Sequence, residues 1–377
     1  MRLPDSATLL ARQARIREQF DTLTIDALVV TAFPNIRYLA NHVGSAGILV
    51  LTAEGAHLVV DFRYESAIAA LQQSASACPG LRVWPVPGSY EEALLGCLSE
   101  LGVERVGLES SSVTLARYEW LVANVKSRSL PLSFRSTSGI VERARMVKDA
   151  TEVAILREAA LRLDGVVDAA FRAVRSGVAE RAVAVQIEAA MRDAGYERLA
   201  FDTIVASGPN AALPHHRAGE RVLAAGDLVV LDFGGVLDGY CCDITRTVSV
   251  GPASERARDL YDAVHAAHQA AVAAVRPGVQ TTVVDAAARS VLEAKGLGPN
   301  FGHGTGHGLG LDVHEDPRVG KPRADLEPVT LEAGMIFTIE PGAYVAGFGG
   351  VRIEDDVLVT TDGCEVLTRP RRDLLSV

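Results

Sequence analysis

AGDLVVLDFGGVLDGYCCDITRT, residues 225–247, decides how this chain is built. A glycine turn opens it, and the apolar run Leu228-Val229-Val230-Leu231 follows. Apolar, β-branched runs bounded by Gly read as strands. Asp232 interrupts the run, and Asp243 follows eleven residues later at the head of the β-prone ITRTVSV. A carboxylate on a buried strand is costly unless it is paired or bound to a cation.

The same pattern returns near the C-terminus as AGMIFTIEPG (333–342) and GGVRIEDDVLVT (349–360). Gly226 stands six residues before Asp232, and Gly334 six before Glu340. Asp243 and Glu354 then head the second strand of each copy. An internal repeat of this kind predicts two pseudo-symmetric halves with four carboxylates converging between them. The plainer alternative, two hairpins with acids in surface ion pairs, conflicts with the apolar flanks of Asp232 and Glu340. Converging carboxylates repel, and divalent cations are the usual remedy.

A length of 377 residues exceeds the usual single core, so two domains are expected, 1–136 and 137–377. Between Asp26 and Ser136, ALVVT, GILVLT, HLVVDF, RVWPV and RVGLE read as strands, with helices at SYEEALLGCLSEL and TLARYEWLVANV. That alternation is an α/β domain with a mixed or largely parallel sheet. It holds no GxGxxG turn or GK[ST] loop, so nothing supports nucleotide binding. After the charged STSGIVERARMVKDA, a helix-rich α+β second domain follows. Its first helix carries Val153, Leu156, Ala160, Leu163 and Val167 at helical spacing and stops at Gly177. Three more helices end at Gly195, near Arg276-Pro277-Gly278, and at Gly296.

Composition narrows the function. The net charge of −10 opposes a nucleic-acid partner. The N-terminus lacks a secretory apolar core, and no run of about 18 apolar residues could span a membrane. Five cysteines without CxxC spacing fit reduced thiols in a cytoplasm.

The histidines sharpen the chemistry. His215 and His216 lie in the turn-rich SGPNAALPHHRAG, and His303, His307 and His314 in FGHGTGHGLGLDVHEDP. Five glycines in the nine residues 302–310 forbid a regular helix, which excludes an HExxH-type site, and allow close backbone approach. In an extended segment of period two, His303 and His307 share a face and His314 lies opposite. One of the three would complete a metal shell and the others would handle protons.

LDFGG…GYCCDITRT, HGTGHGLGLDVHE, TIEPG and GGVRIEDD together resemble the pita-bread (M24) metallopeptidases, which include methionine aminopeptidases, aminopeptidase P and prolidase. The likeness runs in order from about Val141 to Leu367. NIRYL…GSAGILVLT and DFRYE resemble the creatinase/prolidase N-terminal domain, which methionine aminopeptidases lack, so the proline-directed branch is implied. Cys241-Cys242 departs from the small residue plus Ser that many relatives carry before the aspartate.

This resemblance implies two divalent ions, Mn²⁺ first, with Co²⁺, Zn²⁺ or Fe²⁺ as alternatives. Asp232 would chelate one, Asp243 and Glu354 would bridge both, and His307 and Glu340 would complete the second. His215, His303 and His314 would line the substrate cleft and manage protons, and Arg352 would orient a ligand or hold a substrate carboxylate. The implied activity is hydrolysis of Xaa-Pro bonds, as a dipeptidase or an aminopeptidase, by hydroxide made from a water shared between the ions. Glu340 would shuttle the proton to the proline nitrogen. The resemblance also implies a homodimer. A metal-free creatinase-like hydrolase and a non-catalytic binding protein are the alternatives, and retention of all five metal positions counts against both.

Overall fold

The computed structural model describes residues 2–377, which divide into compact units at Leu3–Arg145 and Met146–Val377. The division falls nine residues beyond the 136/137 boundary expected from composition. The helix Ile140–Met146 accounts for the difference, since Ile140, Val141 and Ala144 are buried. Asn35 donates to Glu142 at 2.8 Å and Arg15 to the Ala144 carbonyl at 3.2 Å, so residues 137–145 of the charged stretch belong to the first unit.

The first unit is a six-stranded sheet. Its strands are β1 (Ala27–Val30), β2 (Ile48–Thr52), β3 (Ala56–Val60), β4 (Leu81–Pro85), β5 (Arg105–Glu109) and β6 (Ser133–Thr137). The order is β4-β3-β2-β1-β5-β6. β2 runs antiparallel to both neighbours and the other pairings are parallel, so the sheet is mixed. Val29, Val50 and Val59 form its core with Leu94 and Leu98 of the helix Tyr90–Glu100 and Leu121 of the helix Leu115–Ser127. PNIRYL and FRYE fall in the helices Phe33–Ala40 and Phe62–Gln72.

The second unit repeats one plan. β7 (Arg198–Leu199), β8 (Ile204–Ser207), β9 (Leu228–Leu237) and β10 (Tyr240–Ser249) make the first sheet, all centred on β9. Asp238-Gly239, with φ of 46° and 78°, turns β9 into β10, the left-handed pair a two-residue hairpin needs. Helices Ala150–Ala173 and Glu180–Asp193 cover this sheet, packing Leu163, Val167, Ile187 and Met191 on Val229, Leu231 and Phe233. Asp149 and Glu152 close a capping box at the start of the first helix, fixing where it begins.

The second half comprises β11 (Gly306–Gly308), β12 (Glu315–Val319), β13 (Ile336–Ile339), β14 (Gly342–Val345), β15 (Gly349–Arg352), β16 (Asp355–Val359) and β17 (Cys364–Val366). Its main sheet has the order β12-β11-β13-β16-β17, with β14 and β15 as a separate hairpin inserted between β13 and β16. Helices Glu255–Ala274 and Thr281–Ala294 pack Val264, Ala267, Val284 and Ala288 against Phe337, Ile339 and Val357. The halves meet where the Glu354 N–H donates to the Thr245 carbonyl at 3.1 Å. Among the described residues no helix is long and apolar enough to cross a membrane.

Candidate active site

Strand register brings the acids together. Asp232 pairs with Thr245 and Gly234 with Asp243 across β9 and β10, so the two aspartates are diagonal neighbours on one face. Ile339 pairs with Asp355 across β13 and β16, and one further step of that count sets Glu340 opposite Glu354. All four, with His215, His303, His307, His314 and Arg352, line one cleft of about 510 Å³.

Arg352, paired with Asp232, is one guanidinium against four acids. Asp232 Oδ1 and Asp243 Oδ1 are buried without a hydrogen-bond partner, an unusual state for an acceptor. Burial, then the charges of Glu354 and Asp232, raise the Asp243 carboxyl well above its usual range. Burial followed by Glu340 and Asp232 raises Glu354 likewise, against a 2.6 Å hydrogen bond from the Thr245 hydroxyl. Burial pushes Glu340 up to about 8, with Arg352 opposing and Asp232 adding to the shift. One ligand atom each from Asp243, His307 and Glu354 lies within 4.8 Å of the others, and His307 Nε2 is 3.7 Å from Glu340. Orphaned oxygens, mutual repulsion and one imidazole make a donor set that fits divalent cations.

Hydrogen bonds set the tautomers. His307 Nδ1 donates to the Gly308 carbonyl at 3.0 Å, leaving Nε2 as the lone pair toward the acids. His303 Nδ1 donates to the Gly304 carbonyl at 2.7 Å, so its Nε2 accepts from the Tyr344 hydroxyl at 2.9 Å. Burial holds both imidazoles down to about 4, neutral near pH 7. The strict two-residue alternation fails at His314. Only 306–308 are strand, and the turns over 309–313 bring His314 to His307, with ring centroids 4.4 Å apart.

Arg352 is buried and already engaged. It donates to Asp232 through Nη2, to Tyr344 at 2.8 Å and the Pro214 carbonyl at 3.3 Å through Nη1, and to Thr245 at 3.2 Å through Nε. Four of its five N–H groups are thereby used on the protein. Tyr344 escapes a sequence reading because a tyrosine in the hairpin GAYVAG carries no signature of its own. Thr245 was in view only as part of a strand. In the fold a relay of donors runs from Arg352 to the Tyr344 hydroxyl and on to His303, tying the Asp232 side of the cleft to the glycine-rich loop.

Residues 154–361 match metallopeptidase family M24, and residues 12–147 match the creatinase/prolidase N-terminal domain. Over 363 residues the chain is 35% identical to an Xaa-Pro dipeptidase of Pyrococcus horikoshii, spanning 96% of this chain and 97% of that one. A solved Xaa-Pro dipeptidase from Bacillus anthracis superposes with a TM-score of 0.91 at 36% identity, covering 98% and 100% of the two chains. An X-Pro aminopeptidase from Thermotoga maritima superposes at 0.85 with 31% identity, covering 97% and 100%.

Proposed function

Because the chain belongs to metallopeptidase family M24 and carries the N-terminal domain of its proline-directed branch, we propose that it is an Xaa-Pro dipeptidase working with two divalent metal ions. The observation that carries this reading is the convergence of four carboxylates and His307 with two orphaned, buried aspartate oxygens. The names of the P. horikoshii and B. anthracis relatives support the dipeptidase choice. Oxygen-rich donors with one imidazole favour Mn²⁺. A cytoplasmic homodimer completes the proposal.

When bound, the ions supply Lewis acidity toward the scissile carbonyl and lower the pKa of water. Asp232, Asp243, His307, Glu340 and Glu354 would hold them. Neutral His303 and His307 suit a site that must not add positive charge near the cations. Glu340 takes the proton of the attacking water and returns it to the proline nitrogen, which has no N–H of its own. His215, His303 and His314 line the cleft; His215 and His314 steady the scissile carbonyl as charge grows on its oxygen, a contribution of about 2.7–4 kcal/mol for one such donor, whereas both ring nitrogens of His303 are taken by Gly304 and Tyr344. Arg352 orients Asp232 and Tyr344 rather than gripping a substrate carboxylate, since a single N–H remains to it.

Steady-state hydrolysis of Ala-Pro and Ala-Pro-Ala by Mn²⁺-loaded protein tests the proposal. Cleavage of the dipeptide alone is expected. Efficient removal of Ala from the tripeptide would replace the dipeptidase assignment with an aminopeptidase, and cleavage of neither would overturn Xaa-Pro hydrolysis.

A further inference from the structure

Glu180 is fully buried at the first position of the helix Glu180–Asp193, where the helix dipole favours an anion. Its carboxylate accepts from one stretch of chain only. The donors are the Ser207 N–H at 2.8 Å, the Ser207 hydroxyl at 2.6 Å, Asn210 Nδ2 at 3.0 Å, His216 Nε2 at 2.8 Å and the Gly219 N–H at 3.3 Å. That stretch is the end of β8 and the loop from it to β9, and the loop enters the cleft at Pro214–Ala218. The loop root is fixed by backbone pairing, Arg181 N–H to the Gly219 carbonyl at 3.0 Å and Glu180 N–H to the Arg221 carbonyl at 2.9 Å.

The loop tip hangs from two points. The Pro214 carbonyl is held by Arg352 at 3.3 Å, and the His216 ring by Glu180 at 2.8 Å. His215 lies between them, exposed to the cleft. A side chain exposed in this way takes its aim from its backbone, so the tethers on either side decide where the imidazole points. We propose that Glu180 is a positioning residue that aims His215 at the substrate, acting through His216 and the loop that both belong to. The inference rests on the reading of His215 as a substrate-facing group. It extends the machinery to a carboxylate that is neither among the proposed metal-holding residues nor among the residues lining the cleft.

A double-mutant cycle on the Mn²⁺-loaded protein tests it, with Ala-Pro turnover, bound metal and melting temperature read for His215→Ala, Glu180→Gln and the double variant. Glu180→Gln keeps the shape and turns one acceptor oxygen into a donor facing other donors. It is expected to lower kcat about 10–100-fold, the range for residues that orient a functional group, with metal stoichiometry unchanged. The double variant should be no slower than His215→Ala alone, because Glu180 has nothing to aim once the imidazole is gone. Losses that multiply in the double variant, or full kcat in Glu180→Gln, would overturn the inference. Full activity in His215→Ala would instead remove its premise. Should Glu180→Gln fail to fold, His216→Phe cuts the same tether from a side chain that is 16% exposed, and the same non-additivity is expected.

Discussion

Asp243 and Glu354 are buried and Glu340 is half-buried beside them in the same cleft, and this gives the metal-free protein an unusual dependence on pH. The Glu340 carboxyl is pushed up to about 8, whereas an unfolded glutamate titrates at about 4.3. Between these values the folded chain keeps a proton that the unfolded chain has lost, so stability falls as pH rises and levels off above about 8. Asp243, raised by burial and the charges of Glu354 and Asp232, and Glu354, raised by burial and the charges of Glu340 and Asp232, add to the fall. His303 and His307, held down to about 4, act with the opposite sign, since the unfolded histidines gain protons below about 6.5. The trends oppose each other at acid pH, but above about 6.5 only the carboxylates remain. Metal-stripped protein should therefore lose stability from pH 6.5 to 8, by about 2 kcal/mol for each retained proton, in denaturant titrations. Saturating Mn²⁺ should abolish that slope, and Glu340→Gln should reduce it. A metal-free protein that gained stability over this range would contradict the burial of uncompensated acids.

At the scale of single elements, β11 carries His307 on only three residues, and its glycines are what let it fit. A Cβ on Gly306 would fall 1.8 Å from the Thr338 carbonyl oxygen, and one on Gly308 2.2 Å from that of Asp316. Gly306→Ala must part β11 from β13 and carry His307 with it. A loss of about 1–3 kcal/mol or more is expected, with weakened Mn²⁺ binding in a calorimetric titration. Gly302→Ala, where an added Cβ meets nothing within 4 Å, is the control and should keep both properties. Unchanged metal affinity in Gly306→Ala would mean that β11 need not pack so closely to present its histidine. The sequence already pointed to close backbone approach in this loop, and at Gly306 and Gly308 the approach is to neighbouring strands. Strongly patterned elements could be read directly. The repeat around Asp232 and Glu340 foretold two similar halves, and helical spacing located the long helices. β6 gave no such signal because SFRST is polar and mostly exposed at a sheet edge. The placement of His314 could not be read because turns, not strand alternation, follow His307. Glu180 carries no signature in the sequence, since its partners lie 27 to 39 residues away.

For the molecule as a whole, the two compact units have separate cores, and the residues proposed to hold metal all belong to the second. Metal should therefore stabilise one unit directly and the other only if they unfold together. At a free concentration about a hundredfold above its dissociation constant, a ligand adds about 2.7 kcal/mol, or roughly 5–10 °C for a unit of this size. The chain supplies its own reporter, because its two tryptophans, Trp84 and Trp120, both lie in the first unit. Tryptophan fluorescence thus follows the N-terminal sheet, while far-ultraviolet circular dichroism follows both units. Adding Mn²⁺ to stripped protein is expected to raise the dichroism transition and leave the fluorescence midpoint within about 1–2 °C of its starting value, well inside that shift. The Asp243→Ala variant should show little dichroism shift and an unchanged fluorescence midpoint, because it lacks a proposed bridging ligand. If the fluorescence midpoint instead rises in step with dichroism, the two units melt as one cooperative block. Metal charge balance between β10 and β16 would then be felt through the whole chain, and tuning the acids would tune the stability of the N-terminal sheet as well.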